Sequence, residues 1–451
     1  MSVSRFKIVS GAFWTAGAFA LSQGLRLATN IILAHLLAPE LFGISLLINS
    51  LRTGIDLLSD VGIGQNVITH AKAEEPDYYN TAWTLQLVRG LLLWMVCCLM
   101  AAPLASLYNA PILATALPVS AFYFVFGGAA SVSPFLAQKR MLVGRINAFE
   151  LMMDAAAAVC LVGMALITRT VWALILGSLL LAALRMVASH FLLPGLKIGF
   201  KFDRGYAREI LNFGKWIFIS SIVYYFAGTY DRLYLAKVAP LGLLGIYGIA
   251  RTFSDLVSAL VVRMSSYLIF PLIASKADGS REELRASVSS LRLLFLLVSA
   301  IGLGIFAAGA DLMIALAYDQ RYHAAGWMIS LLSVGAWVSI LCSVNEYALL
   351  GLRRPLYGAT ANGLKFAWLL IGLPLAYFVY GIIGVTVAVG LSDLSRYIPI
   401  FIGGRQLNFS FGKQDAGATV VLLVTLAAVE WLRWSLGYGT SFDSLVTALP
   451  A

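Results

Sequence analysis

The chain has 451 residues, 60% of them hydrophobic and 12% charged, with a mean hydropathy of +0.86. That composition excludes a soluble globule and describes a polytopic membrane protein. The net charge of +10 then belongs to membrane topology and to anionic lipid head groups, and it implies no nucleic-acid partner.

A bilayer core about 30 Å thick takes about 20 apolar residues per helix. On that measure the first span is predicted at 10–37. Arg5 and Lys7 ahead of it, with "AFA" at 18–20, imitate a cleaved signal. The run continues through Gln23, Arg26 and Asn30 to Leu37, however, far beyond a signal's short apolar region. Further spans are predicted at 41–69, 81–107, 112–137, 146–168 and 171–193. A basic break, "PGLKIGFKFDRGYAR", follows. The pattern resumes at 210–236, 241–270, 287–314, 325–351, 358–379 and 381–402, with an extra span near 416–435. No run alternates as barrel strands must, so the expected fold class is all-α: two six-helix bundles plus one C-terminal helix. The corresponding domains are a lobe at 1–193, a basic linker at 194–209, a lobe at 210–402, and a loop, helix and tail at 403–451.

Cytoplasmic loops collect Lys and Arg. With the N-terminus inside, seventeen such residues fall on the cytoplasmic side, Lys276 and Arg353 among them, and only Arg169, Lys237 and Arg321 fall opposite. Cys97, Cys98, Cys160 and Cys342 lie inside spans without metal or redox spacing and read as helix packing. The four histidines make no ligand set, exposed phosphate loops and Ser/His/Asp arrangements are absent, and no loop is long enough for a catalytic domain. The expectation is a non-enzyme with no metal and no cofactor.

The chain also repeats itself. "LAHLLAPELFGI" at 33–44 returns as "LAKVAPLGLLGIY" at 235–247, and "QKRMLVGRINAFE" at 138–150 has a looser echo in "GLRRPLYGATANGLK" at 351–365. Pro39 and Pro240 end their helices, and Gly43 and Gly245 let the next begin tightly. Two equivalent bundles that rock around a shared site give access to one side and then the other, which is a transporter's design.

Charges inside the spans are the second informative feature, since each costs about 2.5–3.5 kcal/mol at the bilayer centre on insertion scales. Gln23, Arg26 and Asn30 fall at i, i+3 and i+7, on one face of the first helix. Arg52, Asp56 and Asp60 do the same on the second. The second half repeats the theme with Asp231 and Arg232, then Arg251 and Asp255; Arg89, Glu150, Asp154, Arg292, Glu346, Lys365, Asp393 and Arg396 complete the set. Two readings stand side by side for Arg52 with Asp56, Arg251 with Asp255 and Asp393 with Arg396: neutralisation at helical spacing, or a lumen. Arg26 has no acid on its own helix and favours the lumen. Tyr224, Tyr225, Tyr230 and Tyr234 suit sugar stacking, but packing between helices suits them better.

"LAHLLAPELFGISLL", "LLSDVGIGQNVITH", "EEPDYYNTAWTLQLVRGLLL" and "PLASLYNAPIL", followed by "NFGKWIFISSIVYYFAGTYDRLYLAKV" and "YDQRYHAAGWMISLLSVGAW", resemble successive signatures of the polysaccharide transporter family of the MOP exporter superfamily. The nearest likeness is to Wzx-type flippases, and it covers roughly residues 8–402. The resemblance implies two six-helix lobes in a V around a cationic cavity in the bacterial inner membrane. Its implied cargo is an undecaprenyl-diphosphate-linked oligosaccharide, moved from the cytoplasmic to the periplasmic leaflet for exopolysaccharide or lipopolysaccharide synthesis. Membrane lipids and a polysaccharide polymerase with its chain-length machinery are the other implied partners. One extra span replaces the pair seen in many relatives.

A diphosphate needs cations along its path, and arginine offers a planar set of donors at a charge that burial rarely removes. The candidates are Arg26, Arg52, Arg89, Arg232, Arg251 and Arg292. Gln23, Asn30, Asp56, Asp60, Glu150, Asp154, Asp231, Asp255 and Lys365 either fix those arginines or carry a coupling proton or sodium ion. A lipid II flippase shares the cationic lumen but usually has more helices. A drug/cation antiporter would favour an acidic cavity. A membrane-embedded polymerase, ligase or acyltransferase would show a long periplasmic loop or paired catalytic residues.

Overall fold

The structure, a computed structural model, describes residues 5–264, 273, 281–352, 354–441 and 443. Lys276, Arg353 and the 265–270 end of the eighth predicted span lie outside the described residues. Among those described there are helices and no strands. The helices group into two compact units, one ending at Ile222 and the other beginning at Val223.

The first unit contains α1 (Arg5–Leu36), α2 (Pro39–Leu57), α3 (Ile63–Thr69), α4 (Pro76–Leu107), α5 (Leu113–Ser120), α6 (Phe122–Ala129), α7 (Ser133–Lys139), α8 (Val143–Thr168), α9 (Val171–Phe191) and the start of α10 (Arg204–Val238). Pro39 and Pro76 sit in the first turns of α2 and α4, where a missing N–H leaves nothing unpaired. Two predicted spans are broken. The one at 41–69 stops at Leu57 and restarts at Ile63, because Gly62 takes a left-handed turn (φ 63°) whose N–H donates to Asp60 Oδ1 at 2.8 Å. The one at 112–137 becomes α5, α6 and α7, with a 50° bend before α7.

That bend frees backbone groups inside a membrane, where each must find a partner. Gln86 Nε2 on α4 donates to the carbonyls of Gly127 (2.9 Å) and Ala130 (3.1 Å), Trp83 Nε1 donates to that of Ala129 (3.3 Å), and the Ser131 N–H donates to Ser189 Oγ on α9 (2.8 Å). Gly128 makes the close approach possible, since a Cβ there would stand 2.9 Å from the Gln86 carbonyl oxygen.

The basic stretch 194–209 divides. Its first part is non-helical and runs along the opening turns of α4, with the N–H groups of Gly199, Lys201 and Asp203 donating to Asn80 Oδ1, Thr84 Oγ1 and Thr81 Oγ1 at 2.9, 3.2 and 3.1 Å. From Arg204 onward it is α10. Nearby, Arg140 binds Glu74 through two hydrogen bonds of 3.1 and 3.0 Å and holds that carboxyl below the usual carboxylate range.

The second unit contains the rest of α10, α11 (Leu241–Met264), α12 (Arg281–Ala317), α13 (Ala325–Gly351), α14 (Leu356–Gln406) and α15 (Gly412–Ser435). Helix α13 forms the core, packed by α11, α12 and α14. The predicted spans 358–379 and 381–402 are the two arms of α14, which turns back on itself at Tyr380 and Gly381 (φ −130° and 55°), so that Lys365 Nζ on the first arm stands 2.9 Å from Asp393 Oδ2 on the second and Trp368 Nε1 donates to the Ala388 carbonyl at 2.9 Å. The extra C-terminal helix lies against α12: Ala418 and Leu422 join the core of Leu296, Leu303 and Trp337, and Trp337 Nε1 donates to Thr419 Oγ1 at 2.9 Å.

Among the described residues, 8 helices are long and apolar enough to cross a bilayer, or 9 if the bent 113–139 segment is one span. The 51 residues of α14 enter that tally once, although each of its two arms has about the 20 residues that a bilayer takes. Helices α1, α2 and α10, where the sequence also predicts spans, carry in-span polar residues and are not in it. Of the cysteines, Cys97, Cys160 and Cys342 are buried and Cys98 is half-buried, as packing residues are.

Candidate functional site

In the first unit α8 packs along α1 and brings Asp154 to Arg26, which sequence spacing left without a partner. Arg26 Nε and Nη2 both donate to Asp154 Oδ1, at 3.0 and 2.9 Å, while Ser22 Oγ donates to Oδ2. The two members of the pair differ in exposure: the Arg26 side chain is 57% exposed and that of Asp154 10%. Gln23 and Asn30 lie half-exposed beside it on α1.

Arg52 and Asp56 do not pair. Asp56 is bound by Arg89 at 2.7 Å, and Arg89 also donates to the carbonyls of Asp56 (2.6 Å) and Ser59 (3.0 Å). The physical reason is the break after α2: its last carbonyls need donors, and a guanidinium at a helix C-terminus also meets the negative end of the dipole. Arg89 and Asp60 therefore hold the α2–α3 turn. Arg52 is left with Asn49 Oδ1 at 2.9 Å, the Ser120 carbonyl at 3.5 Å, and the Tyr123 ring with its centroid 4.2 Å away. Among the described ion pairs it has no carboxylate partner. Glu150 is held by Arg185 of α9, which spacing had not singled out.

The second unit gathers its charges into closed networks. Asp231 is buried, accepts from Tyr247 Oη at 2.5 Å and lies 3.4 Å from Arg251 Nε; Arg251 reaches Asp255 at 3.2 Å, and Arg232 binds the other oxygen of Asp255. Arg251 with Asp255 is thus a local pair as its spacing predicts. Asp393 and Arg396 stand at 3.5 Å, but their nearer partners are on other segments: Lys365 at 2.9 Å for Asp393, and Glu346 for Arg396. Arg292, only 2% exposed, is bound by Asp415 and donates to Gln414 Oε1 and Asn345 Oδ1, both at 3.0 Å, under the Phe411 ring. Asp415 also accepts from Tyr397 Oη at 2.7 Å. Asp415 escaped the sequence analysis because it was placed in a loop; an acid opening an apolar run was the available signal.

The tyrosines divide likewise. Tyr230 stacks with Tyr234, Tyr230 and Tyr234 meet Phe366 and Tyr377 of α14 edge-on, and Tyr225 is buried. Tyr224 alone of the four is exposed.

The sequence profile of a family described as polysaccharide biosynthesis protein matches residues 32–326. The lipopolysaccharide biosynthesis protein WzxC of Escherichia coli (strain K12) is 26% identical over 354 residues, which cover 76% of this chain and 69% of that protein. The succinoglycan biosynthesis transport protein ExoT of Rhizobium meliloti (strain 1021) is 21% identical over 71% of this chain and 64% of its own length. Among solved structures, the lipid II flippase MurJ in an inward closed conformation superimposes with a TM-score of 0.72 at 11% identity, covering 94% of this chain and 92% of that one. The eukaryotic MATE transporter AtDTX14 does so with a TM-score of 0.59 at 14% identity, over 92% and 99%. At those identities the likeness is one of fold.

Proposed function

Since the chain belongs to the polysaccharide biosynthesis protein family, we propose that it is a flippase that carries undecaprenyl-diphosphate-linked oligosaccharide from the cytoplasmic to the periplasmic leaflet of the bacterial inner membrane. The observation that carries this reading is the pair of open cations in the first unit. Arg26 keeps more than half its surface free, and Arg52 has an aromatic ring and amide or carbonyl oxygens for neighbours but no described carboxylate partner. Counted from the α1–α2 turn, they lie about 16 Å and about 20 Å along their helices, at similar depth. A diphosphate moving through hydrocarbon needs such donors, while the polyprenyl chain stays in lipid. The reaction is alternating access between two six-helix lobes, with no covalent step.

The test is mass spectrometry of lipid-linked intermediates in a deletion strain, with a leaflet assay using an added hydrolase or lectin. Complete repeat units trapped on the cytoplasmic side are expected. A shortened or undecorated unit would identify an enzyme and sink the flippase reading. Orientation is tested separately in a cysteine-free background: a cysteine in the "KFDRGY" segment should be shielded from an impermeant thiol reagent applied outside, and Asp319→Cys should label. Reversed labelling would invert the topology.

A further inference from the structure

Among the described ion pairs, the candidate arginines Arg26, Arg89, Arg232, Arg251 and Arg292 each stand against a carboxylate, and Arg52 alone does not. The acids of its own segment are spent elsewhere: Asp56, one turn on, is taken by Arg89, and Asp60 accepts from the Gly62 N–H. What holds Arg52 is a ring. Its Cζ lies 4.2 Å from the centroid of Tyr123, well inside the reach of a cation–π contact. Nη2 donates to Asn49 Oδ1 at 2.9 Å, and the Ser120 carbonyl lies 3.5 Å from Nη1. Tyr123 sits in the first turn of α6 and is 40% exposed. The residues on either side of it fix that turn: Phe122 packs on Trp94 of α4, with ring centroids 5.1 Å apart, and Phe124 is buried.

A ring and a carboxylate fix a guanidinium in different ways. A carboxylate cancels the charge and uses the N–H donors along the edge of the plane. A ring quadrupole attracts the cation through its face, so the charge stays and the in-plane donors stay free. The described bonds of Arg52 use one N–H on each terminal nitrogen, which leaves the remaining donors of the fork for a ligand. We propose that Tyr123 is a positioning residue: it holds Arg52 in place as an uncancelled cation, ready for the diphosphate of the cargo. The inference rests on the flippase reading above. An acid in place of the ring would do the opposite. A glutamate carries its carboxylate about as far from its Cα as a tyrosine carries the centre of its ring, so Tyr123→Glu puts an anion beside Arg52 and closes it as an ion pair, and a second anion is then repelled.

The experiment measures binding of two synthetic probes to the full chain in nanodiscs, a prenyl-diphosphate-N-acetylglucosamine and the matching prenyl N-acetylglucosaminide without the diphosphate, with the unfolding temperature of each variant recorded alongside. Wild type should prefer the diphosphate probe. Tyr123→Leu should bind that probe about tenfold more weakly, and Tyr123→Phe, which keeps the ring, should stay within about twofold of wild type. Tyr123→Glu should lose about tenfold or more at an unfolding temperature no lower than that of wild type. The neutral probe should bind all four forms alike, because it makes no use of the charge on Arg52. Tyr123→Glu carries the test by itself if Tyr123→Leu does not fold. Equal losses for both probes would assign Tyr123 to packing and overturn its positioning role. Wild-type affinity for the diphosphate probe in Tyr123→Leu and Tyr123→Glu would overturn that role and leave the flippase reading intact. No preference for the diphosphate probe in wild type would overturn both.

Discussion

The α1–α8 contact of the first unit and the contact of α10 with the opening half of α14 in the second occupy the same place in the repeat, and they are built from opposite chemistry. Aligning Leu33–Ala34 with Leu235–Ala236 sets Arg26 opposite Gly228, and aligning Asn147 with Asn362 sets Asp154 opposite Leu369. Where the first unit holds an ion pair open at one end, the second holds Tyr230 and Tyr234 against Phe366 and Tyr377. The joints are retained: the Ala239 N–H donates to the Leu235 carbonyl at 2.8 Å as the Leu37 N–H donates to that of Leu33 at 2.9 Å, each just ahead of its proline. The two halves share the backbone turn that fixes helix direction. The side chains beyond it differ, with an exposed cation in one half and aromatic packing in the other.

The comparison breaks first at Arg26. Arg26→Glu should abolish polymer export while leaving the amount of protein in the membrane unchanged, since an acid there would repel the proposed diphosphate cargo; normal polymer output would remove Arg26 from the path. Arg292→Met should act through stability instead. It leaves the Asp415 carboxylate buried without its cation, a loss of about 3–5 kcal/mol, visible as little folded protein by size exclusion and a lowered unfolding temperature. Folded, stable Arg292→Met with no export would place that arginine in the second unit's transport path after all. Arg52→Leu should lower export by about tenfold without lowering the unfolding temperature, because its surroundings are polar oxygens and a ring that stay satisfied without it. Wild-type export would mark Arg52 as packing. The smallest effect belongs to the aromatic counterpart: Tyr234→Ala should cost about 0.5–1.5 kcal/mol of stability for the ring pair beyond its burial and leave export in place. Lost export at unchanged stability would mean that the ring meets sugar.

Helix positions were legible because apolar runs long enough for a bilayer leave little alternative, and the predicted edges of α9, α13 and α15 lie within a few residues of those observed. Breaks were less legible. Gly62 and Ala130–Val132 carry only short polar interruptions within longer apolar runs, and what fixes them is a side chain two residues away in one case, Asp60, and one on another helix in the other, Gln86. In the candidate site, local pairing was visible for Arg251 with Asp255 and misleading for Arg52 with Asp56. Spacing along one helix says which groups can meet; packing decides which do. Asp154 is 128 residues from Arg26, and no periodicity on α1 points to it.

The bend before α7 has a consequence for how the protein is made. The Ser131 N–H finds its acceptor on Ser189, 58 residues further along the chain. At about 5–20 residues per second, a ribosome needs about 3–12 s to supply that hydroxyl. Gln86 and Trp83 are synthesised earlier and already bind the carbonyls of the bend, but the amide must wait for α9. The bend is therefore fully paired only once α9 has been made, and a pause in translation between α7 and α9 would prolong the interval in which the Ser131 amide lacks its final partner.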